Sequence, residues 1–246
     1  MKLIGWEKKY SEILKEFNYD RREDSESARI LDSILKSSYS LKRLEKKIKN
    51  QTVFVIGAGT SLVQSINVLK KYKDITKTVA DGATKALIEN KIKPSIVVTD
   101  LDGDLKFLKK ASKDGAIMVI HSHGDNIEKL HNALEFKLCI GTMEGKPFGK
   151  IHNFGGFTDG DRCVFLARYF GAKKIILFGM DFGTRIGKYS KIKIYDKRTK
   201  LRKLRRGKKL LEWLASKDNT GLFTTSRQIR GFSKIDATDL EMIIST

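Results

Sequence analysis

Between residues 6 and 50 the chain has no glycine, and apolar positions recur every three or four residues: Ile13 and Phe17, Ile30 and Ile34, then Leu41, Leu44 and Ile48. That spacing predicts two or three amphipathic helices ahead of the main fold. From residue 52 the period changes. Short β-branched runs at Thr52–Ile56, Thr76–Ala80, Ser95–Thr99, Ala116–His121, Phe136–Ile140 and Lys174–Phe178 alternate with helical stretches near 61–72, 83–90, 104–113, 125–132 and 159–170. The runs are nearly all apolar, as strands are when both faces of a parallel sheet are covered. The pattern predicts a doubly wound, mostly parallel α/β sheet of Rossmann-like type. An N-terminal helical segment (1–50) precedes an α/β domain (51–246).

In such sheets ligands collect at the carboxyl ends of the strands, and here every polar cluster falls at one. The first strand is followed by Gly57-Ala58-Gly59-Thr60-Ser61, the second by Asp81-Gly82-Ala83 and the third by Asp100-Leu101-Asp102-Gly103-Asp104. The fourth is followed by His121-Ser122-His123-Gly124-Asp125-Asn126 and the sixth by Gly179-Met180-Asp181. The stretch 141–157, with five glycines and Pro147, lacks periodicity and reads as an active-site flap. The segment after 210 begins as a helix and has apolar pieces suited to edge strands.

Charge sharpens this picture. The chain of 246 residues has 49 Lys and Arg against 29 Asp and Glu, a net charge of +20. More than half of the excess lies in 185–209, where Asp196 is the single acid, and Tyr189 and Tyr195 interleave with the basic residues. A local basic stretch argues for a local anion: substrate phosphates, or a nucleic acid against which the tyrosines stack. Part of it also reads as a solvated helix, Lys200–Leu214. Two cysteines, Cys139 and Cys163, exclude a disulfide framework and fit a reducing compartment, so a cytoplasmic location is expected. Apolar runs such as Val53–Ile56 fall far short of the roughly 20 residues of a membrane helix. The N-terminal helices would suit contacts in a homo-oligomer.

The candidate chemistry follows from side-chain type. Gly57 and Gly59, with Thr60 and Ser61 opening a helix, would let backbone N–H groups approach a phosphate. Asp81 and Gly82 stand where a ribose-binding acid would be, which keeps a nicotinamide or S-adenosylmethionine enzyme open, although Leu62 replaces the third glycine of that fingerprint. On an extended segment Asp100 and Asp102 share a face and can converge on one hard cation, while Asp104 either joins them or caps the next helix. His121 and His123 also share a face and suit phosphate or substrate better than a transition metal. Thr158 and Asp161 form a capping box that leaves Asp159 available for metal or substrate.

Taken in order, Ile56-Gly-Ala-Gly-Thr-Ser-Leu62, Ala80-Asp-Gly-Ala-Thr84, Pro94 through Gly103, His121 through Asn126, and Gly156 through Gly183 resemble the archaeal-type 6-hydroxymethyl-7,8-dihydropterin diphosphokinases. Two of these elements are also similar to thiamine diphosphokinases, and the first is shared by glycosyltransferases related to motility accessory factors. The resemblance implies diphosphate transfer from ATP to the pterin hydroxymethyl group with release of AMP. It implies Mg²⁺ on Asp100 and Asp102, and ATP contacts from Gly57–Ser61, Asp81, Gly82, His121, His123 and Arg185. Asn153, Asp159 and Asp181 are the expected pterin contacts, with Asp159 also catalytic. Small molecules are the expected partners, rather than a membrane or a nucleic acid. A thiamine-diphosphokinase-like enzyme on another alcohol, and a non-catalytic nucleic-acid-binding protein, stay open.

Overall fold

The computed structural model of the chain describes residues 4–36, 41–190 and 196–245. Three N-terminal helices, α1 (Trp6–Phe17), α2 (Arg21–Ile34) and α3 (Leu41–Ile48), come first. Strands β1 (Thr52–Ile56), β2 (Thr76–Ala80), β3 (Ile96–Thr99), β4 (Ile117–His121) and β5 (Cys139–Thr142) follow, with α4 (Leu62–Lys71), α5 (Asp81–Glu89) and α6 (Leu105–Lys113) between the first four. A 3₁₀ helix, Gly124–Glu135, joins β4 to β5 where an ordinary helix was expected. Then come β6 (Ile151–His152), α7 (Asp159–Tyr169), β7 (Lys174–Phe178), α8 (Lys197–Ala215), β8 (Leu222–Thr224), β9 (Ser233–Lys234) and α9 (Leu240–Ser245).

The strands form one sheet in the order β6-β5-β4-β3-β2-β1-β7-β8-β9, and every pairing between them is parallel. The expected doubly wound sheet is present, extended at one edge by the two short strands after α8. The order in which strands are added reverses between β1 and β7, whose ends pair in parallel as Ile56 with Phe178. This is the topological switch point, where a crevice opens above the strand ends.

Alternation along the strands explains the layers. Val53, Val55, Val98, Val119 and Leu177 face a core completed by α1, α7 and α8, whereas Phe54, Ile56, Ile176 and Phe178 face α4 and α5. The N-terminal helices are part of this packing. Trp6, Tyr10 and Ile13 of α1 join the first core, with Trp6 edge-on to Phe165 of α7. Ala28 and Leu31 of α2 pack in a third cluster with Met118 and Ile120. Burying such side chains is worth roughly 1.5–3 kcal/mol each, and these apolar faces are occupied within the chain.

The glycine-rich stretch departs from the expected flap. Gly141 and Thr142 complete β5, Met143, Glu144 and Gly145 are buried, and only 146–149 is exposed. Its backbone pairs with β6, and Trp6 Nε1 donates to the Glu144 carbonyl at 2.8 Å. The connection is fixed into the sheet edge. Among the described residues no helix is long and apolar enough to cross a membrane.

Candidate active site

Two cavities open above the strand ends and meet at Thr158, Asp159 and Lys200. The first lies at the switch point, lined by Gly57, Gly59, Gly82, Asp181 and Arg185 among others. The second lies over β3 and β4 and takes part of its wall from the N-terminal helices: Tyr10, Tyr19 and Asp24 face Asp100, His123 and Phe157.

Four carboxylates converge there, with Asp159 lining both cavities and Asp100 the second. One oxygen each from Asp81, Asp100, Asp102 and Asp159 lies within 4.8 Å of the others. Asp81 is supplied by the end of β2 and held by Thr99 Oγ1, which donates to its Oδ2 at 2.5 Å, and by the Gly103 N–H at 3.2 Å. Gly103 is required there, since a Cβ would lie 1.6 Å from Asp81 Oδ1. Asp81, expected at the nucleotide, stands in the acidic quartet.

The convergence of Asp100 and Asp102 has a different cause from the extended strand expected. Leu101, buried between them, has φ 64°, and its N–H is taken by Thr99 Oγ1 at 2.8 Å. A left-handed leucine costs about 1–2 kcal/mol, and the turn it makes is what brings both acids to one side. Asp104 stands apart as the N-cap of α6, accepting from the Lys106 N–H at 3.2 Å. Asp161 likewise serves the α7 cap, accepting from the Phe157 and Thr158 N–H groups, and leaves Asp159 to the cavities.

Asp159 is the electrostatic centre of the cluster. Burial and the neighbouring Asp100 and Asp81 carboxylates push its pKa well above the usual carboxylate range, against the opposing pull of Arg162 and Lys200. Lys200 is pushed down by burial and held up by Asp159 and Asp100. Its position follows from the register of α8. Gly207 packs against Asp161 and Thr158, where a Cβ would meet Asp161 Oδ1 at 2.8 Å. Lys200 lies seven residues earlier, two turns along the same face, and so reaches the carboxylates. The basic helix was legible in the sequence; that one of its lysines enters the site was not.

The rest of that basic stretch is largely used within the chain. Arg206 pairs with Glu12 at 3.1 Å and with Glu16, and Arg202 donates to the Glu16 carbonyl at 2.7 Å. Lys203 lies over the Tyr19 ring at 5.3 Å. Arg185 is exposed on the first cavity. Tyr195, expected to stack on a nucleic acid, and Lys191 lie outside the described residues.

Several residues expected at the ligands are engaged within the chain. The N–H groups of Gly57, Gly59 and Ser61 donate to Phe178 O, Gly179 O and Asp181 Oδ2 at 2.9, 2.8 and 2.8 Å, and Thr60 Oγ1 donates to the same carboxylate at 3.2 Å. The turn is closed on the chain itself. Its glycines admit Met180 and Gly179, and Gly82 admits the Tyr189 and Ser190 carbonyls, so these residues wall the cavity instead of presenting a ring of open amides. Asp181 supplies the anion that a helix N-terminus attracts, and it belongs to this turn rather than to the second cavity. Asn153 lines neither cavity: its amide donates to the Glu144 and Gly145 carbonyls and accepts from the Gly155 N–H at 2.9 Å.

His121 is fully buried and cannot touch a ligand. Its Nε2 meets Glu144 Oε2 at 2.7 Å, and its Nδ1 meets Arg162 Nη1 at 2.8 Å. Since a guanidinium only donates, Nδ1 accepts and the ring is the neutral Nε2–H tautomer. Burial and Arg162 push the His121 pKa down to about 4. Arg162 also donates to Glu144 Oε1 at 2.5 Å, and it holds the Glu144 carboxyl well below the usual range despite burial. His123 does reach the second cavity, with Nε2 3.8 Å from Asp100 Oδ2.

A base whose folded-state pKa lies below its ordinary 6.5 contributes fully above that pH and loses the contribution as pH falls towards 4. The expected loss is of the order of 3 kcal/mol. Melting temperatures of the native protein and His121→Gln between pH 7.5 and 4 should therefore converge as the pH falls; parallel curves would contradict this placement of His121.

Residues 26–187 match the family described as 6-hydroxymethylpterin diphosphokinase, MptE-like. A 6-hydroxymethyl-7,8-dihydropterin pyrophosphokinase of Pyrococcus furiosus is 46% identical over 222 residues, covering 87% of this chain and 94% of its own. Its counterparts in Methanocaldococcus jannaschii and Methanothermobacter thermautotrophicus are 42% and 39% identical, over 88% and 87% of this chain and 97% and 95% of theirs. A solved structure of a MAf glycosyltransferase from Magnetospirillum magneticum shares the fold, with a TM-score of 0.63 at 14% identity over 87% of this chain, which spans 38% of that protein. By the extent and strength of these matches, the chain belongs to the archaeal 6-hydroxymethyl-7,8-dihydropterin pyrophosphokinase family.

Proposed function

We propose that the protein transfers the β,γ-diphosphate of ATP to the hydroxymethyl oxygen of 6-hydroxymethyl-7,8-dihydropterin. The observation that carries this reading is the acidic quartet at the junction of two cavities, one for each substrate. The nucleotide is assigned to the cavity at the switch point and the pterin to the cavity beneath the N-terminal helices.

The donor set fits a hard divalent cation: four carboxylates, no sulfur, and too many like charges to stay together uncompensated. Asp81, Asp100 and Asp102 would hold Mg²⁺, which when bound neutralises phosphate charge and polarises the group transferred. Phosphoryl transfer otherwise asks for in-line positioning and charge stabilisation. The pterin hydroxyl oxygen attacks the β-phosphorus, the bond from that phosphorus to the α–β bridging oxygen breaks, and AMP leaves with the electron pair. Asp159, which lines both cavities, accepts the hydroxyl proton. Lys200 and Arg185 face the phosphates from α8 and from the loop after β7.

Incubation with ATP, Mg²⁺ and 6-hydroxymethyl-7,8-dihydropterin should yield AMP and pterin diphosphate in equal amounts. Formation of ADP instead, or AMP only with thiamine or another alcohol, would overturn the assignment.

A further inference from the structure

The second cavity contains an acid that the reaction scheme does not use. Asp24, in the first turn of α2, is 5% exposed and lines the cavity together with Tyr10, Tyr19 and Phe157. Phe17 backs the aromatic wall, with ring centroids 5.8 Å from Tyr19 and 4.9 Å from Phe157. Tyr10 Oη donates to Asp24 Oδ2 at 2.6 Å, and the Gly124 N–H donates to Oδ1 at 3.0 Å. Each oxygen therefore has one partner that fixes it, and each carboxylate oxygen carries two lone pairs. By that count one acceptor position per oxygen remains, on a carboxylate that lines the cavity.

A pterin presents the complementary edge. Its 2-amino group and N3–H are adjacent donors, as the two arms of a guanidinium are when they take a carboxylate bidentately. Resting on the assignment of this cavity to the pterin, we propose that Asp24 is a specificity-determining residue that reads the 2-amino and N3–H edge of the substrate, so that the N-terminal helices choose the acceptor while the sheet performs the transfer. Asp100 and Asp159 line the same cavity, and the proposal directs the hydroxymethyl end of the ring to them. Burial and the Glu144 carboxylate raise the Asp24 pKa, a cost that a bidentate donor pair would offset on binding.

The test is Asp24→Asn, which keeps the shape and loses one acceptor. Its KM for the pterin should rise at least tenfold, with the KM for ATP within twofold of native. The native preference for the pterin over an analogue lacking the 2-amino group should largely disappear. A merely structural Asp24 would move neither the split between the two KM values nor that preference, and an unchanged pterin KM with intact preference would overturn the proposal. Should Asp24→Asn not fold, Asp24→Glu, which keeps the charge but shifts it by a methylene, is read for the same tenfold rise. Fluorescence titration with the pterin alone separates the two assignments. Native protein that binds pterin more tightly than the Asp24 variant, yet makes no pterin diphosphate, refutes the reaction and leaves the pocket standing. Equal affinities in a catalytically active native protein refute the pocket.

Discussion

Replacing Asp100 or Asp102 by Asn is expected to lower kcat by at least about a thousandfold, since charge stabilisation of a transferring phosphate commonly supplies several kcal/mol. The shape of each side chain is kept and one negative charge is removed from a site where four carboxylate oxygens lie within 4.8 Å. The removed charge repels the neighbouring carboxylates, which offsets what Asp100 gains from Lys200 and His123, so the melting temperature should stay nearly level. Loss of activity without loss of stability is the signature of a site built for a cation rather than for the fold. Kinetics and calorimetric melting on the same samples check it; a variant with native kcat would contradict the role of these two acids.

Lys200→Ala is the second large expected effect, a fall in kcat of about one hundredfold with a smaller change in the KM for the pterin. Lys200 borders both cavities and feels Asp159, Asp100 and Asp81. No other lysine or arginine of the described residues lines both cavities. Its ammonium is therefore placed to follow the diphosphate from donor to acceptor. Lys200→Arg, longer and planar, should recover part of the rate. Steady-state kinetics of both variants decide this, and equal rates for Lys200→Ala and native protein would remove Lys200 from the mechanism. Salt concentration provides a control: Arg206, paired with Glu12 and Glu16 on the same helix, should matter for stability and not for turnover.

The strands were legible because the chain alternates its periods cleanly. β1, β2 and β7 match the apolar runs to the residue, and parallel sheets bury both faces, so their strands read as unbroken apolar segments. The acids at the strand ends were legible by position. What joined them was not: Asp81, Asp100 and Asp159 are far apart in sequence, and only the strand order brings them together. The left-handed turn at Leu101 has no glycine or asparagine to announce it.

The glycines of Gly57 and Gly59 misled for a physical reason. A close approach requires glycine whether the neighbour is a phosphate or another loop, and here it is the loop after β7. His121 misled similarly, because a polar residue at a strand end faces a rim only if nothing closes over it. Arg162 and Glu144 close over it, and neither residue carried a signal by periodicity. The N-terminal helices read correctly as amphipathic, and their apolar faces do join the core. That Tyr10 and Asp24 turn toward the strand ends follows from where α1 and α2 dock, which no local pattern encodes.

In the proposed mechanism Asp81, Asp100 and Asp102 hold the metal of a metal–nucleotide complex between two substrate cavities, with Asp159 beside it. Titrating Mn²⁺, with a nonhydrolysable ATP analogue, into native protein and into Asp100→Asn and Asp102→Asn tests it by calorimetry without any turnover. The account predicts metal-dependent binding of the analogue to native protein and an affinity at least tenfold weaker in each variant. Equal affinity in all three, or binding of the analogue that ignores the metal, would contradict it.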